Sequence, residues 1–343
     1  WVPHPWQPGK IVRKWKLEYR IPRVAMISLN RISIEGLLDF EAACDAIRLA
    51  YIATSNKAVS LPPVGHISFP EANGDCHIKA GHLHGQPIFV VKIATGFYDN
   101  PMRGLSSSNG VMVAFSAETG EALAILNDEG WLTDMRTGIG GALASMALAR
   151  SSARKVLIVG AGLQCRFQAE CLSRISKEPF VYSVWARSPE KAENAVKDLA
   201  AKGLSVQAEY DLEKAVREAD IIITTTPSTS PIILDQWVQP GTHITAVGAD
   251  SPGKQELETA LVARADLVVC DLTQQSLDHG EFQHARACGV LPQVIELGQI
   301  LNGDHPGRPS DDAITIADLT GIAPQDIAVA GSVLHAYQNR KDK

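Results

Sequence analysis

A carboxylate stands at the tip of what reads as a buried strand. In Thr245-Ala-Val-Gly-Ala-Asp-Ser-Pro-Gly-Lys254, β-forming residues run into Gly248, then Asp250, then Pro252-Gly253. In an open α/β sheet, ligands bind outside the carboxyl ends of the strands. An acid placed there, among residues that let backbone approach closely, suits proton transfer. Two cations stand out beside it. Lys92 lies within the apolar run Val90-Val91-Lys92-Ile93, and a buried lysine is costly unless paired or functional. Arg136 falls in the first turn of an expected helix, where the dipole disfavours a cation. Its neighbours Gly138, Gly140, Gly141, Ala142 and Ala144 are small enough to admit another backbone or a ligand. That placement asks for an anion, either a cofactor phosphate or a substrate carboxylate.

A second motif suggests which cofactor. Gly160-Ala161-Gly162-Leu163-Gln164-Cys165 follows a short apolar strand and opens a helix. The first glycine permits the tight turn. The second lets a pyrophosphate approach the backbone, where the helix N-terminus supplies donors. Cys165 stands where the dinucleotide fingerprint has a third glycine or an alanine. At the end of the next strand, Trp185-Ala186-Arg187-Ser188-Pro189 carries no acid before Glu190. An acid there would bind the ribose of NAD, whereas Arg187 and Ser188 can hold a 2′-phosphate. The expectation is therefore that NADP(H) is preferred and NAD(H) possible, the alternative being that Arg187 stacks on the adenine or points into solvent.

Six stretches in sequence order resemble the ornithine cyclodeaminase/μ-crystallin family. They are Lys92-Ile-Ala-Thr-Gly-Phe-Tyr-Asp-Asn-Pro101, Gly104-Leu-Ser-Ser107, Leu132-Thr-Asp-Met-Arg-Thr137, Gly160-Ala-Gly-Leu-Gln164, Val247-Gly-Ala-Asp-Ser-Pro-Gly-Lys254 and Asp318-Leu-Thr-Gly321. That family also contains alanine dehydrogenases, ketimine reductases and opine-type synthases. The Gly-Phe-Tyr-Asp-Asn-Pro variant is similar to a branch that includes proteins of ectoine degradation. The resemblance implies a Rossmann domain plus a β domain that forms a homodimer through its sheet. It implies that Lys92 binds the substrate carboxylate or carbonyl and that cofactor phosphate and substrate share Arg136. Asp250 would be the acid/base beside the nicotinamide. Ser107, Gly160, Gly162, Leu163, Gln164, Thr225, Thr226, Val247, Gly248 and Lys254 would contact or approach the cofactor.

One departure bears on the substrate. Family members usually carry Pro-Pro-Arg before the second strand, and that arginine clamps the substrate carboxylate; this chain reads Leu61-Pro62-Pro63-Val64-Gly65-His66. Val64 cannot bind an anion. Either His66, His77 or Lys79 replaces the clamp, or the substrate is not a simple α-amino acid.

The leading expectation is an oxidoreductase that reduces a ketimine, or an imine made from a keto acid and an amine, to an amino-acid-like product. The alternatives are a cyclodeaminase-type lyase that uses bound NAD catalytically and releases ammonia, and a μ-crystallin-like protein that binds NADPH without turnover.

These residues need two kinds of scaffold. Strand-like pieces at Val64–Phe69, Cys76–Ala80, Ile88–Ala94, Gly110–Ser116 and Ala122–Asn127, separated by turn residues, predict a mostly antiparallel β (α+β) region preceded by a helix over Ile34–Tyr51. Thr133 or Asp134 can cap the next helix, which runs to about Arg150. From Lys155, strands at Val156–Val159, Val181–Trp185, near Val206, Ile221–Thr224, His243–Val247 and Leu267–Cys270 alternate with helices. Such alternation means βαβ units and a parallel sheet. Asn302–Asp312 reads as a loop, and Ile327–Tyr337 as a helix that packs back on the first domain. The expected division is 1–134 with 318–343 for substrate binding and dimerisation, and 135–317 for the dinucleotide.

Composition sets the remaining limits. The 343 residues carry a net charge of −6, which gives no argument for nucleic acid or an anionic membrane as partner. No apolar run reaches transmembrane length. Trp1–Arg20 holds charges and prolines and does not read as a secretory signal, and the chain lacks an initiator Met, so processing or trimming is expected. Cys44, Cys76, Cys165, Cys171, Cys270 and Cys288 form no Cys-x-x-Cys pair. Buried free thiols in a reducing cytoplasm, and no metal site, are the expectation.

Overall fold

A computed structural model of the chain describes residues 26–341; the expectations for Trp1–Arg20 lie outside the described residues. The chain forms two compact units. One takes the residues up to Arg136 together with Ile322 onward, and the other takes Thr137–Gly321. Among the described residues, no helix is long and apolar enough to cross a membrane.

In the first unit the strands are β1 (Ile27–Asn30), β2 (Val59–Ser60), β3 (Gly65–Phe69), β4 (Gly74–Leu83), β5 (Ile88–Phe97), β6 (Ser108–Ser116) and β7 (Ala122–Asn127). They form one sheet in the order β1-β7-β6-β5-β4-β2, with β3 also on β4. All pairs are antiparallel except β1 with β7. Two features escape a reading of the sequence. β1 is short and takes its place only by pairing with the distant β7. The expected Ile34–Tyr51 helix is two helices, α1 (Arg31–Glu35) and α2 (Phe40–Ser55). The chain restarts at Asp39, whose carboxylate accepts from the Ala42 amide at 2.9 Å, a standard N-cap that outweighs continuous apolar spacing.

α2 and the C-terminal helix (Ala323–Lys341) pack on each other, and the C-terminal helix packs on β4 and β5. They cover the face that carries Ile88, Val90 and Lys92 on β5 and Lys79 and Leu83 on β4, all buried. The opposite face is apolar and half-buried or exposed. Phe89 stacks on Phe115 with ring centroids 4.9 Å apart, and Ile93, Ile67 and Phe69 are exposed.

The helix α3 (Trp131–Leu148) contains the boundary between the units. It starts two residues before Thr133, so the expected Thr133 or Asp134 cap is corrected. The turn that precedes it has positive φ at Glu129 and Gly130, and the Asp128 carboxylate accepts from the Leu132 amide at 2.7 Å. Arg136 is therefore in the second turn and not the first.

The second unit is built on an eight-stranded sheet of β8 (Lys155–Val159), β9 (Val181–Trp185), β10 (Val206–Glu209), β11 (Ile221–Thr224), β13 (His243–Ala246), β15 (Leu267–Cys270), β16 (Val294–Glu296) and β17 (Thr315–Asp318). β12 (Thr229–Ile233) and β14 (Gln255–Leu257) pair separately. The order is β10-β9-β8-β11-β13-β17-β15-β16, and every pair is parallel. The crossovers reverse direction between β8 and β11, which is the switch point of a doubly wound fold. α4 (Leu163–Ile175) and α5 (Pro189–Ala201) follow β8 and β9. The small residues after Arg136 admit backbone from α4. A Cβ on Gly138 would lie 2.8 Å from the Phe167 carbonyl oxygen, and one on Gly141 would overlap Gln168.

Candidate active site residues in the two units

In the first unit the cations meet on the covered face of the sheet. Lys92 Nζ lies 3.0 Å from both carboxylate oxygens of Asp326, and Arg136 Nε lies 3.2 Å from one of them. Lys92 and Asp326 are each 1 % exposed and Arg136 is 6 % exposed. Asp326 sits in the first turn of the C-terminal helix, where the dipole favours an acid. Its neighbour Gln325 fixes Arg136 from both ends, accepting from the guanidinium at 3.4 Å and donating to the Arg136 carbonyl at 3.2 Å. The anion that Arg136 asks for is thus supplied in part by the chain. Burial, then Arg136, lower the Lys92 pKa to about 7, with Asp326 opposing. Burial also raises Asp128 to about 6, although backbone donors from the α3 turn oppose it.

Lys79 is the direct cross-strand partner of Lys92 and is 6 % exposed. Two residues further along β4 comes His77, opposite His66 of β3, with ring centroids 4.9 Å apart. Asp75 completes the row, 3.7 Å from His77 and accepting from the Tyr98 hydroxyl at 3.0 Å. The donor atoms of His66, Asp75 and His77 lie within 4.8 Å of one another. Donors on a tetrahedral ion with bonds of about 2.1 Å lie about 3.4 Å apart, so this trio is more open than a closed metal centre. Its members come from two strands, so no spacing in the sequence marks it; the cysteines are free, and the expectation that they are buried is corrected at Cys288, which is exposed. Ser107 is half-buried just before β6, and Val64 half-buried just before β3.

In the second unit the expected cofactor residues line the carboxyl edge of the sheet. Gly160 follows β8 with φ +113°, and a Cβ there would lie 2.6 Å from Thr225 Oγ1. Gly162 is the N-cap of α4 and makes no side-chain cap bond, and a Cβ on it would meet nothing within 4 Å among the described residues. An uncapped, open helix N-terminus fits a phosphate. Leu163 is exposed and Gln164 half-buried on that first turn. Ser188 caps α5 through the Lys191 amide at 3.4 Å, and Arg187 beside it is exposed.

The loops after β11 and β13 are joined by a residue that the sequence reading passed over. The buried Glu256 carboxylate accepts from Thr224 Oγ1 at 2.6 Å, the Thr226 amide at 2.6 Å, Thr226 Oγ1 at 2.8 Å and the Gly248 amide at 2.9 Å. Position 248 must be glycine, since a Cβ would lie 2.1 Å from the Thr226 carbonyl oxygen. The Glu256 amide is in turn held by the buried Glu281 carboxylate at 2.9 Å. Burial, then Glu256, push Glu281 well above the usual carboxylate range. Nearby, Asp318 is fully buried at the end of β17 and bonded to Ser276, and burial raises it to about 8.

Val247 and Gly248 lead into Asp250, whose carboxylate is 39 % exposed and accepts from Lys254 Nζ at 2.6 Å and Ser251 Oγ at 3.2 Å. Gln283 pins this loop by accepting from the Gly253 amide at 2.9 Å and donating to the Lys254 carbonyl at 3.3 Å. Asp250 is therefore a positioned, accessible acid with a cation on one side.

A parallel sheet of this order, with a glycine turn and an open helix N-terminus at its switch point, defines a Rossmann dinucleotide-binding unit, carried here with a mostly antiparallel β unit. The chain belongs to the ornithine cyclodeaminase/mu-crystallin family, whose sequence profile matches residues 24–341. It is 42 % identical to a putative dehydrogenase of Rhizobium meliloti over 88 % of this chain and 93 % of that one. It is similar to the solved archaeal alanine dehydrogenase dimer with bound NAD (31 % identity, TM-score 0.83, 92 % of this chain and 97 % of that one). It is also similar to the iminosuccinate reductase of Paracoccus denitrificans in complex with NAD+ (32 % identity, TM-score 0.82, 92 % and 97 %).

Proposed function

We propose that this protein is a nicotinamide-dependent oxidoreductase acting on C–N bonds, which reduces an imine or ketimine that bears a carboxylate to an amino-acid-like product. The observation that carries the reading is Asp250: an accessible carboxylate, held by Lys254, on the carboxyl edge of a dinucleotide-type sheet. The relatives support it, since their names cover imine reduction and amino acid dehydrogenation.

The open Gly162 turn and the backbone of Gly160 would hold the pyrophosphate, and Thr225, Thr226, Val247 and Gly248 the remainder of the dinucleotide. When bound, that group supplies the hydride. Lys92 and Arg136 bind the substrate carboxylate by charge-assisted hydrogen bonds. Asp250 holds the proton that the imine nitrogen needs in order to accept hydride, and Lys254 keeps its carboxylate oriented. Arg187 and Ser188 favour the 2′-phosphate of NADP(H), with NAD(H) as the alternative. The apolar outer face of the first unit's sheet, with Phe89, Ile93 and Phe115, supports pairing with a second copy of the chain.

The test is NAD(P)H oxidation with cyclic ketimines and with keto acid–ammonium pairs. Stoichiometric cofactor consumption is expected. Ammonia release from an amino acid with no net cofactor change would instead make it a lyase, and a melting shift with NADPH but no turnover a binding protein.

A further inference from the structure

One charged and one neutral residue hold the Arg136 guanidinium. Asp326 accepts from its Nε at 3.2 Å and brings a negative charge, which it also shares with Lys92. Gln325 accepts from Nη1 at 3.4 Å and brings none. Neither bond uses Nη2, the third nitrogen of the fork.

The Gln325 carboxamide can sit in only one way. It belongs to the third residue of the C-terminal helix and is buried. Its oxygen also accepts from the Ile322 amide at 3.1 Å, as the third residue of a capping box reaches back to the helix start. Its nitrogen donates to the Tyr51 hydroxyl of α2 at 2.9 Å and to the Arg136 carbonyl at 3.2 Å. A glutamine amide offers two donor hydrogens and two acceptor sites, and all four are used. Turned over, it would set its NH2 against the guanidinium and the Ile322 N–H, and its oxygen against the Arg136 carbonyl. Capping the helix needs the bond to Ile322 alone. Of the other three, two run to Arg136 and the third, to Tyr51, braces the carboxamide itself.

The absence of charge at this position has its own effect. A glutamate at 325 would satisfy the same two donors, and more strongly, because a charged acceptor binds a guanidinium better than a neutral one. It would also set a second carboxylate on Arg136, in competition with any anionic ligand there. The amide keeps the guanidinium in place and leaves its charge to Asp326, which Lys92 already draws on.

We infer that Gln325 is a positioning residue for recognition of the substrate carboxylate: it fixes the Arg136 fork without neutralising it, so that Nη2 is presented to the ligand. This rests on the reading of Lys92 and Arg136 as the carboxylate site. Gln325 acts through Arg136 and does not itself touch the substrate.

The experiment uses the full-length protein and two probes that differ by one charge, pyruvate and pyruvamide, with dissociation constants taken from melting shifts and no turnover required. Pyruvate should bind more tightly. Gln325→Met and Gln325→Glu should each reduce the pyruvate-to-pyruvamide affinity ratio by about tenfold or more, the value of one hydrogen bond to a charged group. NADPH affinity should stay as it is, which shows that the variants are folded; Gln325→Glu keeps both acceptor bonds, so it tests the charge even if Gln325→Met does not fold. With pyruvate plus ammonium, KM for the keto acid should rise while kcat holds, the mark of lost ground-state binding. A merely structural glutamine would lower the melting temperature and leave the affinity ratio unmoved. That result in Gln325→Glu, or a native protein that does not prefer pyruvate, overturns the inference. If no imine is reduced yet the ratio falls in the variants, the reductase reading fails and the role of Gln325 stands.

Discussion

The two units bury charge in opposite ways. The first buries three cations, Lys92, Arg136 and Lys79, beside two acids, Asp128 and the Asp326 that Lys92 and Arg136 share. The second buries acids, Glu256, Glu281, Asp271 and Asp318, and spends most of their acceptors on backbone and hydroxyl donors of its own loops. In the first, Lys92 and Arg136 converge on one carboxylate, Asp326. A buried acid bonded to two loops fixes the shape of a ligand edge. The same expense of desolvation therefore joins side chains of distant segments in one unit and fixes loop geometry in the other.

Removing Asp326 tests the first half of this contrast most severely. Asp326→Ala leaves Lys92 and Arg136 buried without their shared partner and should cost about 3–5 kcal/mol in chemical denaturation. Lys92→Met in that background should recover part of the loss. A loss below about 1 kcal/mol would mean that water already reaches the cluster and that it is not a buried one.

Asp250→Asn should lower turnover by about 10²-fold or more while the cofactor dissociation constant stays close to its original value, as for loss of an acid–base group. Unchanged turnover would remove Asp250 from the chemistry.

Glu256→Ala separates a strut from a ligand. It strands several donors at once and should cost about 2–3 kcal/mol. Cofactor binding should weaken, measured by titration of the reduced dinucleotide. Glu256→Gln should fall between, because an amide keeps one acceptor.

The contrast also predicts opposite dependences of stability on pH. Lys92 is lowered from 10.5 to about 7, so between those values the unfolded chain binds more protons and stability rises with pH. Asp318 is raised from 3.8 to about 8, so across that range the native state holds more protons and stability falls as pH rises. Asp128, raised to about 6, adds to the fall at the acid end. Lys92→Met should flatten the alkaline rise and Asp318→Asn the fall below pH 8, measured by denaturation midpoints. The smallest effect expected is on selectivity: Arg187→Ala should reduce the NADPH-to-NADH affinity ratio by about two- to fivefold, the value of one exposed charged contact.

Much of this was legible in the chain itself, for physical reasons. Gly160 and Gly162 follow a strand and open a helix, and that local context specifies the Rossmann turn. The lysine within Val90-Val91-Lys92-Ile93 announces a buried cation because its neighbours are apolar. The partners were not legible. Asp326 lies 234 positions from Lys92 and reads locally as an ordinary acid at a helix start. Glu256, after the Pro252-Gly253 turn, looks like a solvated residue until two loops are seen to converge on it. The α1–α2 break was hidden because the apolar spacing continues across it, although Asp39 was available as a cap.

Glu256 has a consequence for how this protein could diverge. Loops at a ligand edge are usually the parts free to change, but here two of them share one buried carboxylate, and Gly248 can accept no side chain. A substitution in either loop must satisfy the other, so inherited variation there is filtered jointly. The Arg187–Ser188 corner has no such tie: Arg187 is exposed and Ser188 answers only to its own helix. The Arg187–Ser188 corner can therefore change among descendants of this sequence while the arrangement that holds Asp250 stays fixed.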